Sequence, residues 1–208
     1  MSEDEILVIR HSPYGESSLI ISALSAQNGR LQLIMRSARK VSGKGAAIPD
    51  RLRHLHVRFR RGKSDLCTLE ESELIRDFQP LTRHIPSFLL ATWQSGFLLR
   101  NAHPELPVPE TFSNLLAGFS RMVVNPTGAN RRAIALGFCF SYLAESGLLP
   151  EFSEAHQSQA EQVIEAGASD ETEWPRYSDD QWQALVTWCL GFMQRCDLHV
   201  PAKLSEAF

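Results

Sequence analysis

Alternation of apolar and polar residues dominates the first third of the chain. Between Arg53 and Arg60, Leu55, Val57 and Phe59 fall on one side of an extended segment and His54, His56, Arg58 and Arg60 on the other. That two-residue period predicts a half-buried strand with one core face and one cationic face. Ile6–Arg10 and Ser18–Leu24 are shorter and rich in β-branched residues, with Leu19, Ile21 and Ala23 sharing a face, and read as two further strands. The Asn28-Gly29 turn signal leads into Leu31, Leu33 and Met35, which alternate with Gln32, Ile34 and Arg36, as in a hairpin. Arg61–Asp65 then turns the chain into a fifth strand, Leu66–Glu73. Five short strands with the longest loop between the third and the fourth predict a small closed barrel of the oligonucleotide-binding (OB) type, with an SH3-like barrel as the competing topology.

From Phe78 the period becomes helical. Ile85, Phe88, Leu89, Trp93 and Phe97 fall on one stripe, with Pro86 in a first turn where the missing N–H costs nothing. Three prolines between His103 and Pro109 interrupt the pattern. Phe112, Leu115, Leu116, Phe119, Met122 and Val123 form a second stripe. A third helix, from about Asn130 to Ser146, is apolar on most sides and is expected to be central; Gly147 and Pro150 end it. Ser178-Asp179-Asp180-Gln181 is a capping box that opens a last helix carrying Trp182, Val186, Cys189 and Met193. Residues 151–177 are polar and acidic and read as a loop with at most one surface helix. The expected fold class is therefore α+β, with an OB-type barrel over residues 1–77 and a helical domain over 78–208.

Charge sharpens this picture. The formal net charge is only -3, yet Arg30–Lys63 carries eleven Lys and Arg against Asp50 alone, a local +10, and Ser146–Phe208 carries three against eleven acids, a local -8. A dipolar chain of this kind predicts a polyanion site at the barrel. Hydrophobic residues make up 43% of the chain, enough for a packed core and too many for a disordered chain. No apolar run approaches the ~20 residues of a membrane span. The acidic start, Met1-Ser2-Glu3-Asp4-Glu5, is neither a signal peptide nor a transit sequence, so a cytoplasmic protein without membrane attachment is expected. Cys67, Cys139, Cys189 and Cys196 are widely spaced and read as reduced thiols rather than a disulfide or zinc framework.

The usual catalytic signatures are missing from the sequence: there is no phosphate-loop consensus, no His-Glu-x-x-His and no Gly-x-Ser-x-Gly. Ser42-Gly43-Lys44-Gly45 reads as a flexible basic loop suited to backbone contact with nucleic acid. Glu70, Glu71 and Glu73 read as solvated strand-end charges, with a metal-dependent nuclease a distant alternative. Tyr14 is the one evident candidate for base stacking near the barrel's first loop. A non-enzymatic protein without cofactor or metal is expected.

Several segments resemble the amino-terminal domain of the RecO family of recombination mediators. They are Val8-Ile9-Arg10, Pro13-Tyr14-Gly15-Glu16-Ser17-Ser18-Leu19-Ile20, Asn28-Gly29-Arg30-Leu31, Arg36-Ser37-Ala38-Arg39-Lys40 and Leu69-Glu70-Glu71-Ser72-Glu73-Leu74-Ile75, with Phe138–Leu149 resembling the helix that follows. The resemblance implies a DNA repair protein that binds single- and double-stranded DNA, anneals strands and helps load recombinase onto strands coated by the single-stranded DNA-binding protein. It also implies contacts with that protein and with RecR. By position, the DNA contacts would be Arg36, Arg39, Lys40, Lys44, Arg53, Arg58, Arg60, Arg61 and Lys63. Many RecO proteins carry a four-cysteine zinc module after the third helix; 151–180 contains no cysteine here, so zinc is not expected. An adaptor acting through the helical domain without DNA contact is the alternative.

Overall fold

A computed structural model describes residues 1–38, 49–62, 65–168, 173–202 and 204–207. Of the expected contacts, Arg39, Lys40, Lys44 and Lys63 lie outside the described residues, as does the Ser42–Gly45 tetrad.

The five expected strands are present as β1 (Ser2–Tyr14), β2 (Ser18–Ser25), β3 (Gly29–Met35), β4 (Arg53–Arg60) and β5 (Leu66–Asp77). They close in the order β1-β2-β3-β5-β4, every neighbour antiparallel except the β3–β5 pair. This is the OB-type barrel the pattern predicts. Leu55, Val57 and Phe59 point inward as expected and meet Ile6, Val8, Ile21, Ala23, Leu31 and Leu33 in one core. β1 and β5 are longer than their apolar patterns suggest. Acidic residues have low strand propensity, but Glu3 and Glu5 sit opposite Arg58 and His56, and Glu71 and Glu73 opposite the same two residues from the other side. Cross-strand charge pairs of this kind stabilise extension.

Asp4 ties the start of β1 to the β2–β3 turn. Its carboxylate, 9% exposed, accepts hydrogen bonds from the Ser25 hydroxyl and the Asn28 amide. The turn itself needs Gly29, whose φ is +60°. A Cβ there would lie 2.3 Å from the carbonyl oxygens of both His103 and Leu106. Residues 102–107 accordingly belong with Met1–Gln79 to one compact unit, and Pro80–Asn101 and Val108–Phe208 form the other.

The second unit contains α1 (Ile85–Asn101), α2 (Pro109–Val124), α3 (Gly128–Glu145), α4 (Glu154–Ala168) and α5 (Asp179–Arg195). α3 is the central helix, buried without interruption from Ala133 to Leu143. Gly118 of α2 lets it approach, since a Cβ there would stand 2.7 Å from Ile134. Ser178 caps α5 through the expected capping box. The acidic insert holds the one helix allowed for it, α4, but that helix is packed rather than superficial and buries Ala160, Val163 and Ala166. Small residues at i, i+3 and i+6 among polar ones give a weak amphipathic signal, too faint to read as a packed helix.

Candidate nucleic-acid interface

The cationic side of β4 exists, but it is not bare. His54 Nε2 lies 3.1 Å from Glu5, and His56 Nε2 lies 3.9 Å from Glu3. Arg58 forms an ion pair with Glu71, and Arg60 pairs with Glu70 at 3.3 Å. The register explains the pairing: β4 runs between β1 and β5, so Arg58 has Glu3 on one side and Glu71 on the other, and His56 has Glu5 and Glu73. The glutamates of β5 are thus mid-strand partners, not the strand-end charges expected, because β5 continues to Asp77. A register shift between Arg58 and Phe59 breaks the strict alternation and leaves Glu70 as an extra residue within reach of Arg60.

Burial dominates at His54. The residue is 7% exposed, and desolvation pushes its pKa below the ordinary histidine value although Glu5 pulls the other way. The remaining arginines fall into two groups. Arg53 lies 3.7 Å from Asp77, and Arg61 donates to Glu105 at 2.7 Å and to the Asn28 side chain, fastening the 102–107 segment to the hairpin. Arg36 instead is exposed and makes no ion pair among the described residues. Arg10 on β1 is also exposed, a cation outside the basic run. Tyr14 is 52% exposed beside the β1–β2 turn, within reach of solvent as a stacking residue must be.

OB barrels commonly bind oligonucleotides across strands 2 and 3 and the adjoining loops. On this barrel the outward residues of those strands include Ser22, Leu24 and Ile34, all buried at 6% exposure or less. Ser18, Ile20, Arg30 and Gln32 on the same face are half-buried. Among the described residues no group of three His, Cys, Asp or Glu is placed to hold a metal.

Within the helical unit a cleft of about 360 Å³ opens between α3, α4 and α5, lined by Leu136, Phe140, Phe152, Val163, Leu185 and Trp188 among others. The rings of Phe140, Phe152 and Trp188 form a triangle with centroids 5.9–6.4 Å apart, and Trp188 is 39% exposed. Phe152 belongs to the segment read as polar loop; a lone aromatic two residues after Pro150 was the available signal.

Closed order and the parallel β3–β5 contact place the amino-terminal unit among OB-type barrels. Its residues 1–78 match the family model "Recombination protein O N terminal". The chain is similar to several curated DNA repair proteins named RecO. It is 29% identical to that of Aliivibrio fischeri over 163 residues, covering 73% of this chain and 67% of the relative. With that of Myxococcus xanthus the identity is 23% over 202 residues, 97% of this chain and 78% of the relative. With that of Thermodesulfovibrio yellowstonii it is 28% over 112 residues, 54% and 45% of the two chains. The resemblance to RecO read from the sequence stands, and the M. xanthus alignment extends it into the helical unit.

Proposed function

We infer that this protein is a non-enzymatic recombination mediator in DNA repair. It binds and anneals DNA strands and helps load recombinase onto single strands coated by single-stranded DNA-binding protein, with RecR as a second partner. The observation that carries the reading is the similarity to RecO DNA repair proteins on a chain whose barrel has OB topology. The +10 run of Arg30–Lys63 supplies the phosphate contacts.

Not every cation in that run contributes equally. Arg53, Arg58, Arg60 and Arg61 are already matched by Asp77, Glu71, Glu70 and Glu105, so a phosphate has to compete with a carboxylate for each. Arg36, together with Arg39, Lys40, Lys44 and Lys63 of the same run, makes the principal contacts. The apolar cleft of the helical unit receives a peptide of the single-stranded DNA-binding protein, its aromatic triangle serving as the anchor pocket. That cleft is also the observation favouring the adaptor alternative, in which the helical unit acts without DNA.

The test is annealing of two complementary labelled oligonucleotides, each coated with single-stranded DNA-binding protein. Faster annealing in the presence of the chain, reduced in Arg36→Gln, supports the mediator. Unchanged annealing together with retained partner binding, lost in Trp188→Ala, moves the adaptor to first place.

A further inference from the structure

The β5 strand changes character halfway along. Leu66, Cys67 and Thr68 pair with β3 on one side while the strand pairs with β4 on the other; among the described residues, the ladder from Leu69 to Asp77 runs to β4 alone. Every residue from Glu70 to Asp77 is exposed, including Leu74 at 52% and Ile75 at 47%. In a closed barrel most strands have both edges paired, so this stretch offers main-chain donors and acceptors in an orderly row. Register shifts bracket it at Arg58/Phe59 and His54/Leu55, and Glu71–Leu74 between them is regular. No proline interrupts it.

Native proteins guard such edges with charge, most often lysine. Here the guards are Glu70, Glu71 and Glu73, with Glu3 and Glu5 further across the same sheet. Two copies of this edge paired antiparallel would bring glutamates close to one another, which disfavours self-association. A phosphate backbone meets the same repulsion. A lysine- or arginine-rich protein segment meets attraction from Glu73, which forms no ion pair among the described residues, apolar contact at Leu74 and a ladder that no described strand occupies.

We propose that the free edge of β5 over Glu70–Ile75 takes up an extended basic segment of a protein partner as an added strand. Main-chain hydrogen bonds supply the grip and Glu73 selects the charge.

The test uses the full chain and a short fluorescein-labelled peptide of alternating Lys and Val, with the Glu/Val peptide as counterpart. The basic peptide binds, the acidic one does not, and amide hydrogen exchange slows within 70–75. Glu73→Lys, which leaves the Arg58–Glu71 pair intact, weakens binding by about tenfold. Equal binding of both peptides, or binding without new protection in 70–75, overturns the proposal. Exchange on the unmodified protein keeps the test decisive should the variant misfold.

Discussion

Replacing Gly29 with alanine separates two costs that the β2–β3 turn combines. The residue sits at φ +60°, where an L side chain is strained by about 1 kcal/mol. Its Cβ would also come within 2.3 Å of two main-chain carbonyl oxygens, those of His103 and Leu106. Backbone cannot swing aside as a side chain does, so residues 103–106 have to lift. Lifting them breaks the bonds from Arg30 N to the His103 oxygen, 3.1 Å, and from Glu105 N to the Asn28 oxygen, 2.9 Å, at about 1 kcal/mol each. The expected loss is about 3 kcal/mol. Gly15→Ala is the control: its φ is +57° and nothing lies within 4 Å of the added Cβ, so it loses only the conformational part, about 1 kcal/mol. All four tryptophans, Trp93, Trp174, Trp182 and Trp188, belong to the helical unit, so indole fluorescence reports poorly on the barrel. The assay is amide exchange of the β2–β3 hairpin combined with far-ultraviolet circular dichroism in urea. Equal losses in the two variants would refute the reasoning, because they would mean that residues 103–106 exert no pressure on the turn.

Stability falls on acidification because of His54: burial holds its folded pKa below the unfolded value, so below pH about 6.5 the unfolded chain binds the proton first and stability drops. His54→Gln flattens the curve of midpoint against pH between 7.5 and 5; an unchanged curve contradicts the assignment. Thiol accessibility follows burial: Cys196 is partly exposed, whereas Cys67, Cys139 and Cys189 are buried, with Cys139 raised well above the usual thiol pKa by its hydrogen bond to Cys189 and by desolvation. Titration with a thiol reagent therefore labels Cys196 first and the others only on unfolding; early loss of the Cys139 thiol refutes this. Arg58→Glu destabilises the barrel because it sets a third carboxylate between Glu3 and Glu71, whereas Arg58→Gln costs no more than about 1 kcal/mol; equal urea midpoints for the two variants contradict the pairing.

The barrel was legible because its signals are local. Alternation in Arg53–Arg60 gives both the strand and its inward face, and Asn28-Gly29 marks the hairpin. The ends of β1 and β5 were not legible, since glutamate does not announce a strand and only its partner across the sheet makes it one. The same non-local cause hid the main feature of the candidate site. Counting Arg30–Lys63 in isolation yields +10, but the carboxylates that answer Arg58, Arg60 and Arg61 lie outside that window, at Glu71, Glu70 and Glu105. Charge along a sequence and charge over a sheet are different quantities. The cleft lined by Phe140, Phe152 and Trp188 likewise draws on three separated segments, and no periodicity links them.

The central claim is that DNA is held through Arg36, which no carboxylate answers among the described residues, rather than through the paired Arg58. Binding of a labelled single-stranded oligonucleotide, followed by fluorescence anisotropy across a salt series, tests it most directly. The account predicts steeply salt-dependent binding in the unmodified chain. In Arg36→Gln the slope of log affinity against log salt falls by about 0.7, one phosphate contact, while in Arg58→Gln it is unchanged. Absence of binding at low salt, or a slope that falls in Arg58→Gln and not in Arg36→Gln, would contradict the account.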